Sequence, residues 1–172
     1  MILGMSTAAF TLLHVIISLV GIVSGAIVVG GMLKSNRLPG WTAVFLTTTV
    51  LTSATGFLFH SKAFGPPHVI GLISLVLLLF AILGYYVYKL AGAWRGVYVV
   101  TSLLSLWFNA FVGIIQAFQK IPALNVLAPT QSSEPAFVVA QLVVLALFVW
   151  AGLVALRRFK FASVTIAVRA TG

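Results

Sequence analysis

Five apolar stretches dominate this chain, and each is long enough to cross a membrane as a helix. They cover residues 7–33, 41–59, 69–90, 96–118 and 136–156. A helix needs about 20 apolar residues to span a hydrocarbon core roughly 30 Å thick. The pattern predicts an all-α fold, in which residues 1–172 form a single polytopic transmembrane domain, a bundle of five helices.

The second stretch is the least apolar of the five, because hydroxyl side chains interrupt it. These are Thr47, Thr48, Thr49, Thr52, Ser53 and Thr55. A serine or threonine hydroxyl can hydrogen-bond to a carbonyl one turn earlier, which lowers the cost of placing it in lipid. If this stretch does not span, four helices remain and the orientation of everything after it is reversed.

Composition supports a membrane class over a water-soluble one. Hydrophobic residues make up 62% of the chain and charged residues 6%, against about 25% charged in soluble domains. The formal net charge is +9, but the basic residues are scattered in short loops, so they indicate membrane topology and not nucleic-acid binding. The chain has no cysteine, which excludes disulfides, thiolate metal sites and cysteine nucleophiles.

The lysines and arginines divide unequally between the two sides of the predicted membrane. One side has only Lys62 and Lys120, and the other has Lys34, Arg37, Lys89, Arg95, Arg157, Arg158, Lys160 and Arg169. Basic residues in short loops stay with the cytoplasm. We therefore expect a cytoplasmic tail at 157–172, an N-terminus outside, and an outer loop at 119–135.

This orientation places most of the remaining polar side chains in the outer half of the bundle. Polar groups are costly in lipid unless they find partners, so an intramembrane histidine or amide suggests a functional site. The candidate ligand-binding residues are His14, His60, His68, Asn109, Gln116, Gln119 and Gln141.

Each of these residues also has a structural interpretation. Asn109 and Gln116 lie nearly two turns apart on one face, where amides can simply join neighbouring helices. His14 can bond to a nearby carbonyl, and His60 and His68 can be interfacial loop residues. If His14 and His68 reach the same depth, they could instead ligate haem b. The three histidines lack a metal-ligand spacing, so no metal site is predicted.

The outer loop carries the only acidic residue of the chain, Glu134. Ser133 and Glu134 precede Pro135, which is a typical helix start, so we expect these two residues to cap the last helix. The loop is also unusually apolar, because Ile121 precedes Pro122 and because Leu124, Val126 and Leu127 lie between Pro122 and Pro129. It is therefore interpreted as a lid over a hydrophobic ligand or as a surface that docks another membrane subunit.

The segments LNVLAPTQSSEPAF and PPHVIGLISLV resemble an uncharacterised family of small, multi-spanning bacterial inner-membrane proteins over most of the chain. The resemblance implies a location in the bacterial inner membrane, and it carries over no catalytic residue.

The sequence therefore favours an integral membrane protein without an enzymatic activity. It would be an accessory subunit or a binder of a hydrophobic ligand, with the lipid bilayer, another membrane subunit or a hydrophobic small molecule as partners. A histidine-dependent protein that handles haem b or quinone is the alternative. A small-solute channel or carrier is a further alternative, which the lack of intramembrane charge disfavours.

Overall fold

The computed structural model describes residues 2, 4–59, 65–130 and 134–160. Its helices are α1 (Thr7–Leu33), α2 (Pro39–Gly56), α3 (Pro66–Ile82), α4 (Trp94–Lys120), α5 (Pro122–Asn125) and α6 (Pro135–Arg158). A π-helical segment, Leu83–Val87, continues α3 directly. This architecture confirms the predicted all-α helical bundle. His60, Ser133, Lys62 and Arg169 lie outside the described residues.

The helix ends follow local chemistry. The Ser6 side chain accepts a hydrogen bond from the Ala9 amide at 3.2 Å and caps α1. The helices α2, α3, α5 and α6 each begin with proline, whose missing N–H costs nothing at that position. The α4 helix ends before Ile121, which is extended because Pro122 follows it.

Consecutive helices run antiparallel. The contacts between α1 and α2 extend along both helices, from Gly31 against Leu38, through Gly25 against Phe45, to His14 against Thr55. The Phe57 ring, just after α2, then contacts the start of α3, and Tyr98 of α4 contacts Tyr85 of the π-helical segment. Leu103 of α4 lies beside Gly152 of α6.

Within the described ranges, four helices are long and apolar enough to cross a membrane. They span Thr7–Leu33, His68–Val87, Trp94–Lys120 and Pro135–Arg158. The α2 helix is not among them, because its threonines and serine lower its mean hydropathy. The choice between five crossings and four therefore depends on α2, as the sequence indicates.

The α4 helix is the centre of the bundle, since it contacts α1, α2, α3, α5 and α6. In the most apolar 18-residue stretch of α4, 39% of the residues are buried, compared with 11% in the corresponding stretch of α6. The α6 helix therefore presents most of its surface to its surroundings, and the hydroxyl groups of α4 at Thr101, Ser102 and Ser105 are buried.

The antiparallel arrangement gives the bundle two chemically different ends. We call one the basic end, because it carries Lys34, Arg37, Lys89, Arg95, Arg157, Arg158 and Lys160. Hydrogen bonds join its segments directly, from Ser35 to Lys160 and from Arg95 to Phe159. We call the other the histidine end, which carries His14, His68, Lys120 and Glu134.

Candidate functional site

His14 faces α2 at the histidine end. Its Nδ1 lies 2.8 Å from the Thr55 hydroxyl oxygen, and its ring meets the Phe59 ring edge-on at 5.1 Å. The Thr55 hydroxyl donates its proton to the Leu51 carbonyl at 2.7 Å. When the Thr55 hydroxyl donates to Leu51, His14 Nδ1 is the donor in the His14–Thr55 bond, and the Nε2 lone pair of the neutral imidazole is then an acceptor.

His68 has the opposite arrangement. Its Nδ1 accepts a hydrogen bond from the Gly65 amide at 3.1 Å, so the proton of the neutral ring lies on Nε2. This bond satisfies one of the amides at the start of α3, and the ring also packs against Phe57 at 5.7 Å. His68 thus caps a helix, and ligation through Nε2 would cost that cap. His60 lies outside the described residues, so its proposed role stays a prediction.

Hydroxyl groups line the contact between α1, α2 and α4. Three of them donate to carbonyls of their own helices, Ser24 to Val20, Thr49 to Phe45, and Ser105 to Thr101. Such back-bonding satisfies the hydroxyl protons without help from a neighbouring helix. The buried hydroxyl oxygens of Thr52 and Ser102 have no hydrogen-bond partner among the described residues. The contact is therefore a polar packing surface, in which the hydroxyl protons of Ser24, Thr49 and Ser105 are bound within their own helices.

Asn109 joins α4 to α1 within this surface. Its Nδ2 donates to the Ser18 carbonyl at 3.4 Å, a long hydrogen bond. A Cβ at Gly21 would lie 3.2 Å from Asn109 Nδ2 and 3.2 Å from the Thr49 hydroxyl, so a larger residue there would require these side chains to shift by a few tenths of an ångström. The position of Asn109 fits the structural interpretation of an amide that joins helices.

The three glutamines among the candidate ligand-binding residues lie in different surroundings. Gln116 and Gln119 are exposed on the last turns of α4. Gln141 of α6 donates through Nε2 to the Phe111 carbonyl at 3.2 Å, and its buried Oε1 has no hydrogen-bond partner among the described residues. The candidate residues that the structure describes thus lie in the same half of the bundle, but their contacts distribute them among several helix faces instead of one pocket.

The outer loop is anchored to the bundle by its apolar side chains. Phe118 meets Phe137 edge-on at 5.5 Å, and Ala128 is fully buried beside them. By contrast, Val126 is 81% exposed, so the loop also presents apolar surface outward. The loop therefore contacts the bundle and also exposes apolar surface. Both interpretations from the sequence, a lid over a hydrophobic ligand and a surface that docks another subunit, stay predictions.

Glu134 is the N-cap residue of α6, but its side chain does not cap that helix. The carboxylate turns back and accepts hydrogen bonds from the Thr130 amide, at 3.0 Å, and from the Thr130 hydroxyl. The only acid of the chain therefore closes the loop that precedes α6.

Two features of the basic end were not predicted from the sequence. Arg95 Nη1 donates to the carbonyls of Leu156 at 3.1 Å and Phe159 at 2.7 Å, where α6 runs out of internal partners. Tyr98 is buried, with its hydroxyl 3.5 Å from Thr42. The sequence gives Arg95 only the signature of a topology charge, since its partners lie far along the chain.

A groove between α2 and α3 was also missed. It has a volume of about 270 Å³ and is lined by Ala43, Thr47, Val50, Leu51, Ile82 and Tyr86. It opens sideways, because Ala43, Thr47, Leu51 and Tyr86 are exposed. Nothing in the sequence pattern distinguishes these residues from ordinary lipid-facing ones.

Among the described residues, no group of three or more histidine, aspartate or glutamate side chains could hold a metal ion. No family model, curated protein or solved structure matches the chain. What can be said of its function therefore depends on the contacts described above.

Proposed function

We propose that this chain is an integral protein of the bacterial inner membrane that acts by binding a hydrophobic molecule from the bilayer, without catalysing a reaction. The observation that carries the proposal is how its polar groups are used. In the half of the bundle expected to hold a site, His68 caps a helix, Glu134 closes a loop, and Asn109 donates to a neighbouring backbone. The lateral groove, in contrast, is apolar and open to the side.

Ligand retention tests this function directly. The full chain would be purified in mild detergent, washed by repeated detergent exchange, and extracted for mass spectrometry. We expect a hydrophobic molecule in stoichiometric amount. If no hydrophobic molecule, lipids included, exceeded the amount found with an unrelated membrane protein prepared identically, a binding function would be refuted.

The proposal includes five membrane crossings, with the basic end in the cytoplasm. The pairing of α2 with α1 from Gly31 to His14 supports a crossing by α2, because a helix paired along a spanning helix traverses the same layer. The unequal distribution of charge supports the orientation.

Cysteine labelling tests the topology cleanly, because the chain has no cysteine of its own. Single variants Asn36→Cys and Leu58→Cys place a thiol at either end of α2. In spheroplasts, an impermeant maleimide should label Leu58→Cys at once and Asn36→Cys only after lysis. Equal labelling of both variants before lysis would mean that α2 does not cross. A bright C-terminal fluorescent fusion should accompany the expected pattern.

A second function is favoured by one observation, the contact of 2.8 Å between His14 Nδ1 and the Thr55 hydroxyl oxygen. In histidines that ligate metals, the other ring N–H usually donates to an oxygen, and the Thr55 hydroxyl oxygen lies where it can accept from His14 Nδ1. His14 Nε2 is therefore suited to bind haem iron, although His68 is not its matching partner. A reduced-minus-oxidised spectrum of protein expressed with ample haem tests this role. A Soret band that disappears in His14→Ala would support it, and a spectrum without the band would exclude haem.

A further inference from the structure

We infer that the groove between α2 and α3 binds an acyl chain of an anionic phospholipid whose headgroup lies at the basic end. This inference rests on the proposed function and specifies its ligand and site. It combines three features of the described residues, which are the origin of the groove, its shape, and the distribution of charge around it.

The groove exists because the end of α3 leaves α2. Among the described residues, α3 packs against α2, whereas the π-helical segment Leu83–Val87 contacts only α3 and α4. Gly84 draws this segment to α4, since a Cβ there would lie 3.1 Å from the Trp94 carbonyl oxygen and 3.3 Å from Tyr98 Cβ. A π-helical turn is uncommon and frequently marks a functional position. Here it opens a lateral space beside α2.

The shape of the groove suits a slender chain. Its volume of about 270 Å³ lies just below the roughly 300 to 1,000 Å³ typical of small-molecule pockets. Leu51 marks one end, Ala43 and Tyr86 mark the end towards the basic loops, and the open side faces the bilayer. An acyl chain can enter from the side and lie along α2 without leaving the hydrocarbon layer.

Charge selects the headgroup. Ala43 lies about 6 Å along the axis from the start of α2, and Lys89 follows the π-helical segment that carries Tyr86. The only acid, Glu134, lies at the opposite end of the bundle. Bulk lipid tails are as apolar as the groove, so the tail alone cannot confer preference over other lipids. Attraction between lysine or arginine and an anionic headgroup can confer this preference.

The first experiment tests the groove with two matched variants of the full chain. Ala43→Phe fills the groove, whereas Ala54→Phe adds the same ring to α2 at an exposed position outside it. Native mass spectrometry would measure retention of phosphatidylglycerol and of phosphatidylcholine with identical tails. We expect Ala43→Phe to lower phosphatidylglycerol retention at least fivefold, and Ala54→Phe to leave it unchanged.

The second experiment tests the headgroup. Lys89→Gln removes a charge three residues after Tyr86, which lines the groove, and Lys120→Gln removes one at the histidine end. A basic residue near the surface contributes a preference of about fivefold for anionic lipid. Lys89→Gln should lower the ratio of phosphatidylglycerol to phosphatidylcholine by about this factor, and Lys120→Gln should leave the ratio unchanged.

The outcomes separate this inference from the function on which it depends. If the unaltered chain retains a lipid that Ala43→Phe retains equally well, the groove is not the site, although a binding function survives. If the retained molecule is a quinone or another uncharged compound, the anionic phospholipid is refuted in the same way. If the unaltered chain retains no hydrophobic molecule, both proposals fail.

Discussion

Packed aromatic rings connect the helices at both ends of the bundle, but at the basic end side chains from two other segments also donate hydrogen bonds to backbone carbonyl groups around the end of α6. Arg95 and Ser35 both bond to the chain around the end of α6. At the opposite end, Phe118 packs on Phe137, and Phe10 packs on Phe59. The difference shows that polar contacts here do not by themselves mark a functional site, because the most directional ones hold helix ends together.

The largest effect should come from the basic end. Arg95→Met removes two charge-assisted hydrogen bonds and leaves the carbonyls of Leu156 and Phe159 without them. We expect a loss of about 3 kcal/mol in the free energy of unfolding. The measurement is unfolding by dodecyl sulfate in mixed micelles, followed by circular dichroism. Arg158→Met, at an exposed position, should cost less than about 1 kcal/mol. Equal losses would show that Arg95 acts only as a topology charge.

The histidine end should respond next. Phe118→Ala removes the ring that meets Phe137 beside the buried Ala128. The expected loss is about 2 kcal/mol, below the 3–5 kcal/mol of soluble cores, because lipid and not water would surround the ring after unfolding. Cleavage of the outer loop by protease should also accelerate. Ile121→Ala removes an exposed side chain and is the control. A loop that Phe118→Ala leaves equally resistant would not be anchored by this ring.

Ser35 separates two contributions at the basic end. Its hydroxyl donates to the Lys160 carbonyl at 2.7 Å, while its backbone has φ of 54°, a left-handed conformation that favours glycine. Ser35→Ala should lose about 1 kcal/mol, since it removes the bond and keeps the strain. Ser35→Gly should lose less, because it relieves the strain. The reverse order would mean that the backbone conformation is not under strain.

The long apolar helices were predictable, because each corresponds to a long apolar run in the sequence. The predicted 7–33 stretch coincides with α1, and Gly21 and Gly25 are buried in a helix contact, as small residues four apart suggest. Gly30, in contrast, has open space where a Cβ would be. Spacing alone does not tell which glycines of a row meet a neighbour.

Features that depend on tertiary contacts could not be predicted. The π-helical segment follows from the approach of Gly84 to α4, and the stacked rings of Tyr88 and Trp94 sit across the same turn. The sequence pattern around residues 83–87 is that of an ordinary apolar helix. The position of Glu134 before Pro135 is typical of a capping residue, but its carboxylate accepts a hydrogen bond from the Thr130 amide instead. The sequence pattern therefore predicted where α6 begins, but not which group the Glu134 carboxylate contacts.

The smallest effect should come from Gln141, where a gain and a loss nearly cancel. Gln141→Met gives up the bond to the Phe111 carbonyl, and such bonds between membrane helices average about 0.6 kcal/mol. It also removes a buried Oε1 that has no partner within the described residues, which is itself unfavourable. The unfolding free energy should therefore change by less than about 0.5 kcal/mol, measured against exposed Gln116→Met as the baseline. A loss above about 1 kcal/mol would reveal a bound partner on Oε1 and would return Gln141 to the set of ligand-binding residues.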